Sequence, residues 1–178
     1  MRGRLKYLRH SASLTDRLAV WIATGFGIGL VSPAPGTMGG LWGLPLAWAI
    51  TRLPMGWWQI LATLVVGLIA TNICSRAVRM IGGDDPQEIV LDEIAVLPIV
   101  YLASGLTNWP TLWLGWVLFR LFDITKPLPA RNLEKLPGGW GVIADDAAAA
   151  CYACLALWII KGLDQTYAWG LLTPVVVS

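Results

Sequence analysis

The stretch V-I-A-D-D-A-A-A-A-C-Y-A-C-L-A-L-W-I-I, Val142 to Ile160, places two opposing demands on one helix. Its length and apolar character suit hydrocarbon, where about 20 helical residues span a core of about 30 Å. Asp145 and Asp146 near its start are costly there unless paired, hydrated or bound to a metal. A helix that enters the bilayer from a polar face and leaves its acids at that face meets both demands. The Ala147 to Ala150 tract fits a helix packed among helices.

Four further stretches are apolar enough for membrane helices: Gly39 to Leu53, Gly56 to Ile73, Ile89 to Leu106, and Thr111 to Ile124. The first and last of these four are short, so they are thin-membrane spans or only partly inserted. The run Leu18 to Val31 is interrupted by Gly25, Gly27 and Gly29, each of which weakens a helix, and reads as an interfacial or re-entrant segment. The expected fold is all-α: a polytopic membrane helical bundle of about four to five membrane helices plus that N-terminal segment. Residues 1–17 form a basic cytoplasmic start, 18–162 one membrane-embedded domain, and 163–178 a C-terminal tail.

Composition agrees with this reading. Of 178 residues 56% are hydrophobic and only 13% charged, about half the charged fraction usual in soluble domains, and the mean hydropathy is +0.63. Eleven tryptophans suit bilayer interfaces. A net charge of +2, with Lys and Arg scattered among apolar runs, gives no footprint for nucleic acid, and nothing calls for a protein partner. Cys74, Cys151 and Cys154 form no disulfide framework, and C-x-x-C at 151 to 154 lacks the further Cys or His of a zinc site, so helix packing is their expected role. Arg2, Arg4, Lys6 and Arg9 before an apolar run resemble a signal peptide, but no small-x-small cleavage site follows and the segment is expected to be retained.

With the N-terminus in the cytoplasm and five crossings, eleven basic residues fall on the cytoplasmic side and only Arg52 and Lys161 fall opposite. The acids follow. Asp84, Asp85 and Glu88 lie in the second cytoplasmic loop, Asp92 and Glu93 in the first turn of the third helix, Asp123 in the last turn of the fourth, and Asp145 with Asp146 at the opening of the fifth. Only Asp164 is on the other side. Carboxylates from three helix ends at one membrane depth suit magnesium, which takes hard oxygen ligands and keeps several waters. Zinc is disfavoured, because the sole histidine, His10, sits in the basic tail. The plainer alternative is that acids near helix starts complement the helix dipole.

In F-R-L-F-D-I-T-K-P, Phe119 to Pro127, Arg120 and Asp123 share a helix face and Lys126 follows one turn on. Arg120 and Lys126 can meet phosphate oxygens, and Asp123 can ligate metal or hold Arg120. A snorkelling Arg and Lys with a simple i, i+3 ion pair is the structural alternative. In S-P-A-P-G-T-M-G-G, Ser32 to Gly40, Thr37 is the expected N-cap, and the glycines admit backbone N–H groups to a phosphate or simply turn the chain. The run L-P-G-G-W-G, Leu136 to Gly141, invites the same two readings. Absences narrow the chemistry: one histidine excludes a histidine phosphatase, Met80 stands where a cysteine phosphatase would need Arg after Cys74, and D-x-D is missing. Metal-assisted hydrolysis remains, with water or an Asp as nucleophile.

Four ordered motifs resemble the phosphatidylglycerophosphatase A family: S-P-A-P-G-T-M-G at Ser32 to Gly39, D-P-Q-E-I-V-L-D-E at Asp85 to Glu93, F-R-L-F-D-I-T-K-P-L-P at Phe119 to Pro129, and G-G-W-G-V-I-A-D-D at Gly138 to Asp146. The resemblance implies a magnesium-dependent bacterial inner-membrane enzyme with a cytoplasm-facing site that releases phosphate from phosphatidylglycerophosphate to leave phosphatidylglycerol. It implies Glu88, Asp92, Glu93, Asp123, Asp145 and Asp146 as the metal group, Asp92, Glu93, Asp145, Asp146 and Arg120 as catalytic, and Thr37, Arg120 and Lys126 near the phosphate. The sequence departs from the family at Val96, where Gly is usual, and at Gly40, where Ser is usual; the first is expected to narrow the site and the second to remove a hydroxyl from it. The rival classes are a divalent-cation transporter, which would want carboxylates along a through-path, and a non-catalytic lipid-binding membrane protein.

Overall fold

The computed structural model describes residues 13–54, 56–82, 86–133 and 136–172, and among these every regular element is an α-helix. Arg2, Arg4, Lys6, Arg9, His10, Asp84, Asp85 and Lys135 lie outside the described residues. The helices are α1 Leu14–Ala23, α2 Ile28–Val31, α3 Pro35–Thr51, α4 Gly56–Ile81, α5 Leu91–Tyr101, α6 Trp109–Thr125, α7 Ala130–Leu133 and α8 Gly139–Tyr167.

Two of them, α4 with 26 residues and α8 with 29, are long and apolar enough to cross a membrane. At about 1.5 Å per residue they reach about 39 and 43 Å, beyond a hydrocarbon core of about 30 Å. Their outward faces are apolar: Ile60, Leu61, Leu64, Val65, Leu68 and Ile69 of α4 and Leu155, Trp158 and Ile159 of α8 are exposed. So much exposed aliphatic surface matches lipid as the surrounding solvent.

The apolar stretch expected at Ile89 to Leu106 becomes a helix of only 11 residues, α5, about 16 Å long and too short to span by itself. Its hydrophobicity has a different cause. Ala95, Val96, Leu97, Pro98, Val100 and Tyr101 are all buried, so α5 is apolar all round because other helices surround it. Beyond Tyr101 the chain turns, with Gly105 at φ +66°.

The glycine-interrupted N-terminal run resolves into two short helices. A reciprocal capping box starts α1, with Ser13 accepting from the Asp16 N–H and the Asp16 carboxylate accepting from Ser13; the Ser13 hydroxyl bond also holds the Asp16 carboxyl below its ordinary pKa. Gly25, Phe26 and Gly27 at φ +59°, +59° and +92° then break the helix before α2.

The core is built on close approach. Gly36, Gly39, Gly40 and Gly43 recur at i, i+3, i+4 and i+7, hence on one face of α3. That face meets α5: a β-carbon at Gly43 would come within 3.0 Å of Leu97, and one at Gly39 within 2.8 Å of Val90. Gly139 brings the start of α8 equally close to α4, where a β-carbon would lie 2.5 Å from the Thr71 carbonyl oxygen. Its N–H donates to the Ser75 hydroxyl at 3.1 Å. This contact explains why α8 begins at Gly139, inside the run expected to be a loop, and why Asp145 and Asp146 stand in its second turn instead of opening it. Helix α8 also continues to Tyr167, past residue 162.

Candidate active site

Five carboxylates from three helices line one cavity of about 420 Å³: Asp92 and Glu93 of α5, Asp123 of α6, and Asp145 and Asp146 of α8. Arg120, Lys126 and Thr37 line it too, with Pro35 and Gly36 at the start of α3. The helix ends therefore converge as the sequence suggests. Glu88 is not among the lining residues although its neighbours Gln87 and Ile89 are; its backbone carbonyl instead packs against Gly29, where a β-carbon would lie 2.0 Å from the oxygen.

Two cations organise the acids. Arg120 Nη1 donates to Glu93 Oε1 at 2.9 Å and to Asp123 Oδ2 at 2.7 Å, so one nitrogen ties α6 to α5. Lys126 ends α6 in the left-handed region at φ +41° and its Nζ donates to Asp145 Oδ2 at 2.7 Å, tying the end of α6 to α8. Asp92 Oδ1 accepts from the Glu93 N–H at 2.9 Å. These are charge-assisted bonds in a half-buried setting, among the stronger ones a protein makes.

Asp146 differs. It is 5% exposed, feels the charges of Asp92, Asp123, Glu93 and Asp145, and accepts no hydrogen bond from a described residue. Were all five carboxylates ionised, the two cations would leave three negative charges in the cavity, a state that desolvation and like-charge repulsion both oppose. A hard divalent cation would offset it, so donor chemistry and charge fit magnesium. As the side chains stand, no group of three His, Cys, Asp or Glu among the described residues is gathered tightly enough to hold a metal. Arg120 and Lys126 hold three of the acids in ion pairs.

The glycine-rich start of α3 does something the sequence reading missed. Thr37 does not cap it: Ala34 is the N-cap, with no side-chain hydrogen bond, and Pro35 opens the helix. Proline at the first helical position needs no N–H partner, which removes the requirement for a cap. Thr37 stays in the cavity wall. The glycines seat Glu93: its Oε2 accepts from the Gly40 N–H at 3.0 Å, and a β-carbon at Gly36 would lie 2.2 Å from Oε1 and 3.0 Å from Arg120 Nη1. The i, i+3, i+4 spacing was the available signal.

Both departures from the family pattern also find their places. Val96 is 2% exposed and packs in the hydrophobic core, outside the cavity lining, so it does not narrow the site. At Gly40 the missing side chain makes room for Trp116, whose Nε1 would lie 2.8 Å from a β-carbon there and is buried without a hydrogen-bond partner among the described residues.

A family model described as Phosphatidylglycerophosphatase A matches residues 21–161, a range holding every residue of the cavity. The chain belongs to that family. Phosphatidylglycerophosphatase A of Haemophilus influenzae is 36% identical over 79% of this chain and 86% of its own length. The protein of the same name from Escherichia coli is 34% identical over 85% of this chain and 91% of its own. A Bacteroides thetaiotaomicron protein, provisionally named a phosphatidylinositol-3-phosphatase, is 34% identical over 80% of this chain and 96% of its own. No solved structure matches the chain.

Proposed function

We propose that this chain is a membrane phosphatase that hydrolyses the terminal phosphate monoester of phosphatidylglycerophosphate, giving phosphatidylglycerol and inorganic phosphate, with magnesium as cofactor. Family membership supports the reaction. The observation that carries the cofactor is Asp146, a buried carboxylate facing four others without a cation of its own. Asp92, Glu93, Asp123, Asp145 and Asp146 are the residues that would hold the ion, with Glu88 near enough in sequence to join through the loop before α5. Bound there, magnesium would neutralise phosphate charge and make water more acidic.

The chain's own groups have separable tasks. Arg120, fixed by Glu93 and Asp123, presents its remaining N–H donors to phosphate oxygens, and Lys126 adds a second positive charge from the end of α6. Thr37 offers a hydroxyl from the wall. In hydrolysis, water oxygen forms the new bond to phosphorus while the bond to the glycerol oxygen breaks. A cavity carboxylate takes the water proton and the departing oxygen gains one.

In the same reading α3, α4, α6 and α8 cross the inner membrane, α5 and the turn after it carry the chain across among them, α1 and α2 lie at the interface, and the cavity opens to the cytoplasm. Ile124 supports this placement: it lines the cavity and is 73% exposed, so headgroup site and lipid-facing surface meet there. Transport is disfavoured, because Ala149, Ala150, Ala153 and Leu157 form the buried face of α8 beyond the acids and offer no oxygen ligands. The test is phosphate release by detergent-purified protein from phosphatidylglycerophosphate, phosphatidic acid and phosphatidylinositol-3-phosphate, with and without magnesium. Magnesium-dependent release from the first, lost in Asp146→Asn, is expected. Equal activity after chelation removes the cofactor, and preference for the inositol lipid removes the substrate.

A further inference from the structure

A second cavity, of about 400 Å³, lies between the end of α3 and the start of α6 and is lined by Trp48, Arg52, Leu106, Thr107, Asn108 and Trp109, among others. It belongs to the far end of the bundle. The loop forming its wall is pinned by Lys161, whose Nζ donates to the Ser104 carbonyl at 2.5 Å and the Thr107 hydroxyl at 3.2 Å. Lys161 stands about 24 Å farther along α8 than Asp145, at about 1.5 Å per residue. A second clasp holds the same wall: Asn108 Nδ2 donates to the Leu172 carbonyl at 2.7 Å, and the N–H groups of Leu171 and Leu172 donate to Asp164 at 2.9 and 3.0 Å. Lys161 and Asp164 are both buried and take no part in the chemistry above. Their work is to fix residues 104 to 108 opposite Trp48 and Arg52.

Arg52 is held but not neutralised. Its guanidinium lies 5.1 Å over the Trp48 ring, and among the described residues it has no ion pair and no hydrogen bond. Trp109, 73% exposed, stands at the rim. Tryptophan and a long cationic side chain both settle at headgroup depth, and an Arg fork matches phosphate oxygens. With one cation and mainly apolar walls such as Leu106 and Leu112, the cavity suits a phosphate carried on a glycerol backbone better than a fully hydrated free anion.

We propose that this cavity binds the phosphodiester headgroup of an anionic phospholipid, in the leaflet opposite the one that presents substrate to the carboxylates. The inference rests on the membrane placement proposed above but not on the phosphatase reaction. The experiment is native mass spectrometry of the detergent-purified protein incubated with phosphatidylglycerol, phosphatidylcholine or inorganic phosphate. Wild type is expected to retain phosphatidylglycerol over phosphatidylcholine. Arg52→Gln should lower that retention at least about fivefold, the worth of one basic side chain at an anionic surface, while Arg52→Lys keeps most of it. Phosphate release by Arg52→Gln should stay at the wild-type rate, showing a folded protein, and Asp146→Asn should retain lipid as wild type does. Undiminished retention in Arg52→Gln overturns the site. So does displacement of the lipid by inorganic phosphate, or loss of retention in Asp146→Asn instead, which would put the lipid in the carboxylate cavity. Lack of phosphate release by wild type, with Arg52-dependent retention intact, would sink the phosphatase reading and leave this one standing.

Discussion

A single methyl group at position 36 should separate catalysis from folding. In Gly36→Ala the added β-carbon would lie 2.2 Å from Glu93 Oε1 and 3.0 Å from Arg120 Nη1. Ordinary contact is about 3.5 Å or more, so the Glu93 carboxylate must retreat by more than about 1 Å. It cannot do so and keep both its 2.9 Å bond from Arg120 and its 3.0 Å bond from the Gly40 N–H. Loss of one hydrogen bond to a charged group costs about 1.5 to 3 kcal/mol, and displacement of a positioning group by about 1 Å costs up to about a hundredfold in rate. The expected fall in kcat/KM for phosphate release is therefore about 10- to 100-fold. The flexible end of Glu93 absorbs the clash, so the fold should persist in detergent, with a fall in Tm no larger than loss of that one hydrogen bond produces. Gly67→Ala is the control: it lies in α4 with nothing within 4 Å of an added β-carbon, so activity should hold and the helix gain up to about 1 kcal/mol. Activity of Gly36→Ala within about twofold of wild type would refute the claim that these glycines exist to seat Glu93.

Arg120→Lys keeps the charge but loses the planar fork, and should lower kcat/KM at least about tenfold while Lys126→Arg costs less; comparable losses would show that charge alone matters. Gly139→Ala drives a β-carbon against the Thr71 carbonyl and the Ser75 backbone nitrogen at 2.5 and 2.6 Å, so it should destabilise by about 1 to 3 kcal/mol as a fall in Tm. Trp116→Phe removes a buried N–H that has no partner among the described residues and should leave stability unchanged or raise it by about 1 kcal/mol; a clear loss would reveal an acceptor for that N–H. Asp146→Asn should abolish phosphate release yet raise Tm without magnesium, because it removes a buried carboxyl crowded by four others. Magnesium should raise the Tm of wild type and not of this variant.

Much of the site was legible because its residues are expensive. Carboxylates inside apolar helices need a reason, and Asp92, Glu93, Asp123, Asp145 and Asp146 do meet in one cavity. Arg120 with Asp123 followed from helical spacing alone and is seen at 2.7 Å. What failed had the opposite character. The apolarity of α5 looked like a membrane span, since hydropathy registers transfer from water and does not distinguish lipid from protein as the destination. Thr37 looked like a cap because its residue type favours that role, but Pro35 had already set the helix start. Glycines next to prolines suggested a loop, and only the partner helix shows that they form a packing face. Such information is relational: it depends on which helix lies opposite, which one chain read alone does not state.

The glycine face joins stability to chemistry in a way neither alone would require. Gly39 and Gly43 bring α3 against Val90, which caps α5, and Leu97 within it, a close approach that lets dispersion contribute to helix association. One turn earlier the same face receives Glu93, so the approach that packs the helices also desolvates the carboxylate. Bare burial of that charge would be unfavourable; the Gly40 N–H and Arg120 offset it. Arg120 in turn holds Asp123, and Lys126 fixes Asp145 on α8. Each acid of the cavity except Asp146 is thus oriented by a bond made within the scaffold. Asp146 is the one that has no such bond among the described residues and is crowded by the four others, so a cation binding there should have its largest effect on both Tm and rate.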